Sequence, residues 1–177
     1  FGDNYVAYYS IAFKIVSFIS VAINAVGLSV ATAIAYNYKK GAIGKLHKTV
    51  TSSSKIIFYF SLFFSVIILL FSKEILTIFG KEYLISNETL LLLIIGNLIA
   101  SVAGNTYMYL LMTYKGKILG RLIFSAVMIN ILLNMYLIPR YGLNGAAISA
   151  IISILFWNYL GAYYVYKKDK INILFKF

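Results

Sequence analysis

The sequence has no cysteine, one proline, one histidine and one tryptophan among 177 residues. The missing cysteines exclude disulfide frameworks, thiolate metal sites and cysteine nucleophiles, and they leave the redox compartment unreadable. His47 lies in a lysine-rich stretch with no carboxylate beside it, so neither a metal site nor a base with an orienting acid can be assembled there. The many serines have no accompanying base, and no glycine-rich phosphate cradle of the strand-to-helix kind is present. The chain reads as non-enzymatic, with no metal and no cofactor. Acids are scarce as well: five Asp and Glu face sixteen Lys and Arg, for a net charge of +11.

Apolar residues are what the chain has in excess. They make up 62% of it, charged residues 12%, and the mean hydropathy is +0.87, whereas soluble domains are about 45–50% apolar. The expected fold class is therefore an all-α integral membrane protein forming a single membrane domain over residues 1–177. Segments of about 20 apolar residues suffice to cross a hydrocarbon core. Five are expected as helices, at about 5–36, 52–72, 89–113, 118–138 and 143–166. Residues 37–48 and 72–88 read as connections. Pro139 is expected to stop the fourth helix after Ile138, with Gly142 and Gly145 allowing a tight turn into an antiparallel fifth.

Charge orients these helices. If the segments alternate, Lys39, Lys40, Lys45, Lys48, Lys55, Lys115, Lys117, Arg121, Lys167, Lys168, Lys170 and Lys176 fall on one side, twelve of the sixteen cations. Lys73, Lys81 and Arg140 fall on the other, with Asp3, Glu74, Glu82 and Glu88. The positive-inside bias makes the lysine-rich side, and the C-terminus, cytoplasmic. Cations that flank membrane segments in this way do not form a soluble basic face, so nucleic acid is not an expected partner. An odd number of helices with an external N-terminus suggests a longer protein whose N-terminal lobe precedes this chain.

Lys14 is the one charge within the first apolar stretch. A cation in a membrane helix costs roughly 2.5–3.5 kcal/mol on insertion scales and so faces a cavity, a partner or a ligand. Ser10, Lys14, Ser17 and Asn24 follow spacings of four, three and seven, which put them on one helical face. The stripe reads either as a helix interface joined by hydrogen bonds, or as the wall of a water-filled lumen where Lys14 meets phosphate or another anion. The lumen is preferred, because no acid within these segments can neutralise Lys14. Asn97, Ser101, Gly104, Asn105 and Met108 share a face of the third helix, and Asn130 and Asn134 share one of the fourth. Such amides line water or join helices. Gly145, Ser149 and Ser153 form a small-residue ridge suited to close packing.

Three stretches resemble one family. They are Tyr8-Tyr9-Ser10-Ile11-Ala12-Phe13-Lys14-Ile15, then Glu74-Ile75-Leu76-Thr77-Ile78-Phe79-Gly80-Lys81-Glu82-Tyr83. The third runs Asn130-Ile131-Leu132-Leu133-Asn134-Met135-Tyr136-Leu137-Ile138-Pro139-Arg140-Tyr141-Gly142-Leu143-Asn144-Gly145-Ala146-Ala147. Together they are similar to the C-terminal lobe of Wzx-type polysaccharide and O-antigen flippases, members of the multidrug/oligosaccharidyl-lipid/polysaccharide exporter superfamily. The resemblance implies a two-lobed helical bundle in the bacterial inner membrane, of which these would be late helices. It implies alternating access and an undecaprenyl-pyrophosphate-linked oligosaccharide as the translocated partner, alongside the lipid bilayer, the N-terminal lobe and other polysaccharide-assembly proteins. Lys14 would match a basic cavity position, and Ser10, Ser17, Asn24, Asn97, Asn105, Asn130 and Asn134 would be candidate substrate contacts. Two alternatives stay open: a cation-coupled multidrug antiporter of the same superfamily, which would want intramembrane carboxylates, and a membrane scaffold using the Gly145–Ser153 ridge.

Overall fold

The computed structural model describes residues 3–174, without the side chains at positions 3, 4 and 22. Lys176 and the Asp3 side chain, both used above to orient the chain, lie outside this description. Every described element is helical: α1 Asp3–Lys39, α2 Ile43–Leu70, α3 Ser72–Phe79, a 3₁₀ turn Lys81–Ser86, α4 Asn87–Ser101, α5 Thr106–Met112 and α6 Gly116–Asp169. Four helical stretches are long and apolar enough to cross a membrane, namely Tyr5–Lys39, Ile43–Leu70, Lys81–Ser101 and Gly116–Asp169.

The fifth expected crossing is contained in α6. Its 54 residues would reach about 81 Å if straight, far more than the roughly 30 Å of a hydrocarbon core. The helix reverses instead. Gly142 takes φ 54° and ψ −128°, a conformation open to glycine and strained for residues with a Cβ. The reversal is tight enough that a Cβ on Gly145 would collide with the Leu137 carbonyl, so residues 116–141 and 143–169 are two antiparallel arms. Pro139 does not end the first arm as expected. The helix runs through it and stops three residues later, because a proline one turn from a helix end forfeits a single backbone bond, whereas Gly142 changes the direction of the chain.

Other boundaries move for physical reasons. The lysine-rich stretch after residue 36 is not a loop: only Lys40, Gly41 and Ala42 separate α1 from α2. Lysine is a good helix former, and Leu46 and Val50 are fully buried against Ile34 and the segment after α6, so packing draws the start of α2 forward. The connection at 72–88 is structured as α3 and the 3₁₀ turn. The third expected span is interrupted between α4 and α5.

Contacts at the two ends establish the alternation. At one end Lys115, in the α5–α6 turn, lies 2.8 Å from Asp169 at the end of α6 and donates to the Tyr38 hydroxyl near the end of α1 at 3.3 Å. At the other end Tyr8 of α1 meets Tyr83 of the 3₁₀ turn edge to face at 5.4 Å. There the Thr89 hydroxyl donates to Asn144 at 2.7 Å, and the Asn144 amide donates to Glu88 at 3.1 Å. Lys170 then adopts a left-handed conformation that turns the following segment back into the bundle. Ile171 and Ile173 are fully buried there, and the Ile173 carbonyl would lie 3.0 Å from a Cβ on Gly104.

The apolar core comes in two parts. One, towards the lysine-rich end, joins Ile34, Leu46, Val50, Tyr109, Val165 and Ile173. The other, towards the opposite end, joins Ala12, Ile19, Ile68, Leu90, Ile94 and Ala147. Between them every long helix switches to polar or small residues: Ser20, Asn24 and Gly27 on α1, Ser53 and Ser54 on α2, Asn97 and Ser101 on α4, Ser153 and Asn158 on α6. The bundle has a polar waist.

Candidate functional site

The waist forms where α4 fails to continue. Apolar residues run through this region without a proline, but Gly104 takes φ 58°, which a helix cannot accommodate. The chain tightens into i→i+3 bonds, Val102 to Ile99, Ala103 to Ala100 and Gly104 to Ser101, before α5 starts. Broken backbone at membrane depth needs substitute partners, and Asn105 finds them on α2. Its N–H donates to the Ser54 hydroxyl at 3.3 Å and its side-chain amide to Ser53 at 3.4 Å. Thr106 donates to the Ala103 carbonyl at 2.6 Å. The Asn105 side-chain Oδ1 would lie 3.2 Å from a Cβ on Gly27, so the absence of a side chain there brings α1 up against the break.

Beside this break lies a cavity of about 550 Å³, within the range of small-ligand sites. Asn24, Asn97, Asn105 and Asn158 line it together with Trp157 and Tyr107. The two rings meet edge to face, with centroids 6.4 Å apart and planes at 80°. The Asn97 amide donates to Ser20 at 3.4 Å and that of Asn158 to the Ile154 carbonyl at 2.9 Å. Among the described residues, no acid, lysine, arginine or histidine lines the cavity.

A second cavity, of about 440 Å³, lies nearer the opposite end between the start of α1 and the α6 hairpin. Asn130 and Asn134 reach it together with Tyr9 and Phe13, and the Asn134 amide donates to Asn130 at 3.0 Å. The structure thus brings together two groups of the expected site residues: Asn24, Asn97 and Asn105 in one cavity, Asn130 and Asn134 in the other.

Ser10, Lys14 and Ser17 line neither cavity. The hydroxyls of Ser10 and Ser17 donate to backbone carbonyls of their own helix, Val6 and Lys14, each at 2.7 Å. Lys14 is exposed on α1 and makes no ion pair among the described residues. It heads a row of exposed positions continuing through Phe18, Val21 and Leu28, so it faces away from the packed interior. It sits six residues before Ser20, about 9 Å along the axis, and so lies off the level of the waist. The expected single stripe is divided: Asn24 belongs to the waist cavity and Lys14 to the outer face of α1.

Sequence reasoning missed Trp157, Tyr107 and Asn158. Trp157 is the chain's one tryptophan, and Asn158 follows the ridge Gly145, Ser149, Ser153 after a spacing of five; that irregular step was the available signal. Also missed was the polar junction at the lysine-rich end, where the Tyr109 hydroxyl donates to Asp169 at 2.8 Å.

A polytopic helical bundle with a polar cavity between its helices is the architecture of a transporter domain, and similarity to known proteins agrees. The MatE family matches residues 1–136, more than half of the chain. The protein belongs to that family, the transporters of the MATE superfamily, which are typically not enzymes. No curated protein and no solved structure matches the chain.

Proposed function

We propose that this MatE-family protein takes part in flipping a lipid-linked oligosaccharide outward across the bacterial inner membrane, with its lysine-rich side and C-terminus in the cytoplasm. The observation that carries this reading is Lys14: an exposed cation on the apolar outer face of a membrane helix, with no ion-pair partner among the described residues. A pyrophosphate presented from a second lobe or by the ligand would supply the missing charge, and charge-assisted hydrogen bonds would be strong at low dielectric. The neutral, amide-lined waist cavity supports a polyhydroxylated cargo. It speaks against a proton- or sodium-coupled drug antiporter, because no carboxylate lines either of the two cavities. The lipid tail would stay in the bilayer throughout.

The test is Lys14→Ala in cells whose glycan export depends on this protein. Export is expected to be lost at unchanged membrane level, and Lys14→Arg is expected to retain part of it. Full export by Lys14→Ala would remove the basis of the proposal.

A further inference from the structure

We infer that the waist cavity is a subsite for an uncharged sugar, separate from the place where Lys14 would meet phosphate. The inference rests on the flippase reading and divides its ligand between two sites. Asn97, Asn158 and Asn105 each use one amide N–H, on Ser20, Ile154 and Ser53. Each keeps a second N–H and a carbonyl oxygen, so the wall offers donors and acceptors side by side. A sugar hydroxyl or an acetamido group donates and accepts and can use both, whereas a phosphate would use only the donors and leave the carbonyl oxygens unpaired.

The cavity's lining adds two further constraints. With no acid, lysine, arginine or histidine among its described lining residues, the site offers no charge to pair with an ionic ligand, and burying an unpaired charge is costly. Trp157 and Tyr107 add flat apolar surface to the same lining as the amides, suited to the C–H face of a pyranose ring, whose hydroxyls would meet the amides. A volume of about 550 Å³ admits a short oligosaccharide and excludes a long one, so the subsite would recognise one end of the glycan and leave the rest outside.

Trp157 reports on the site directly, as the chain's sole tryptophan. The experiment titrates the protein in lipid nanodiscs with three probes while following tryptophan emission: N,N′-diacetylchitobiose, farnesyl pyrophosphate and tetraphenylphosphonium. Saturable quenching by the disaccharide is expected. It should be abolished as a signal in Trp157→Phe and weakened about tenfold in Asn158→Leu, the loss of one buried hydrogen bond, while Lys14→Ala leaves it unchanged. Asn158 bonds within its own helix, so the leucine variant should fold, and monodispersity on gel filtration checks this. Farnesyl pyrophosphate competing with the disaccharide at Trp157 would overturn the two-site division, as would disaccharide titration without saturation. Binding of tetraphenylphosphonium at Trp157 with no disaccharide binding would overturn the subsite and the flippase reading together. Disaccharide binding combined with intact export by Lys14→Ala would sink only the role given to Lys14.

Discussion

Replacing Asp169 by asparagine should destabilise the bundle by about 2–4 kcal/mol. The Lys115–Asp169 pair is 2.8 Å long and its side chains are 13% and 16% exposed, so it is largely, though not fully, withdrawn from water. Removing one partner of a buried pair costs about 3–5 kcal/mol, mostly from the charge left behind. Part of that is recovered, because Lys115 keeps its hydrogen bonds to Tyr38 and Thr113 and lies 4.6 Å from the centre of the Tyr38 ring. A cation over an aromatic face contributes about 0.5–2 kcal/mol depending on its hydration. Asparagine can still accept from the Tyr109 hydroxyl. The assay is reversible unfolding in mixed dodecylmaltoside and sodium dodecyl sulfate micelles, followed by circular dichroism. A loss below about 0.5 kcal/mol, the scale of a solvent-exposed pair, would refute the argument. The combination Lys115→Met with Asp169→Leu gives a second check: it removes both charges and should cost less than Asp169→Asn alone.

Further predictions concern the backbone. Gly142→Ala should cost about 1–3 kcal/mol through its positive φ, measured in the same micelle titration, whereas Gly120→Ala, with open space around it, should be neutral or slightly stabilising. A Cβ on Gly96 would collide with Ile151, so Gly96→Ala should lose about 1–3 kcal/mol by overpacking, and Ile151→Ala should rescue it in the double variant. Asn105→Leu strips the partners from the α4–α5 break. A loss of about 1–3 kcal/mol is expected, with faster amide exchange confined to residues 101–106.

Much of the fold was legible because length and hydropathy suffice to find a membrane helix. The five apolar runs correspond to α1, α2, the α4–α5 pair and the two arms of α6. The breaks were harder to read. Gly104 lies inside a span whose mean hydropathy stays high with no proline, and only the Ser53 and Ser54 hydroxyls, more than fifty residues away in sequence, reveal that the chain is held open there. Pro139 was the obvious breaker, but the conformation of Gly142 decides the turn. The asparagines were visible as costly residues at depth, yet which of them meet depends on helix packing that no local pattern encodes. Spacing along one helix puts Asn24 and Lys14 on a shared face, whereas the fold places Asn24 at the rim of the waist cavity and Lys14 outside both cavities. Asp169 reads as one flank charge among many until the fold sets it against Lys115.

The division of the apolar core by the waist has a mechanical consequence. Interdigitated methyl groups resist shear, since sliding one past another opens voids, so each half of the core behaves as a stiff block. Hydrogen bonds of 3.3–3.4 Å between amides and serine hydroxyls are long and able to change partners as the angle between the blocks changes. Compliance is therefore concentrated in one thin layer, at the level of Ser20, Ser54, Gly104 and Asn158, and a transporter that must rock between two openings can bend there without repacking either block.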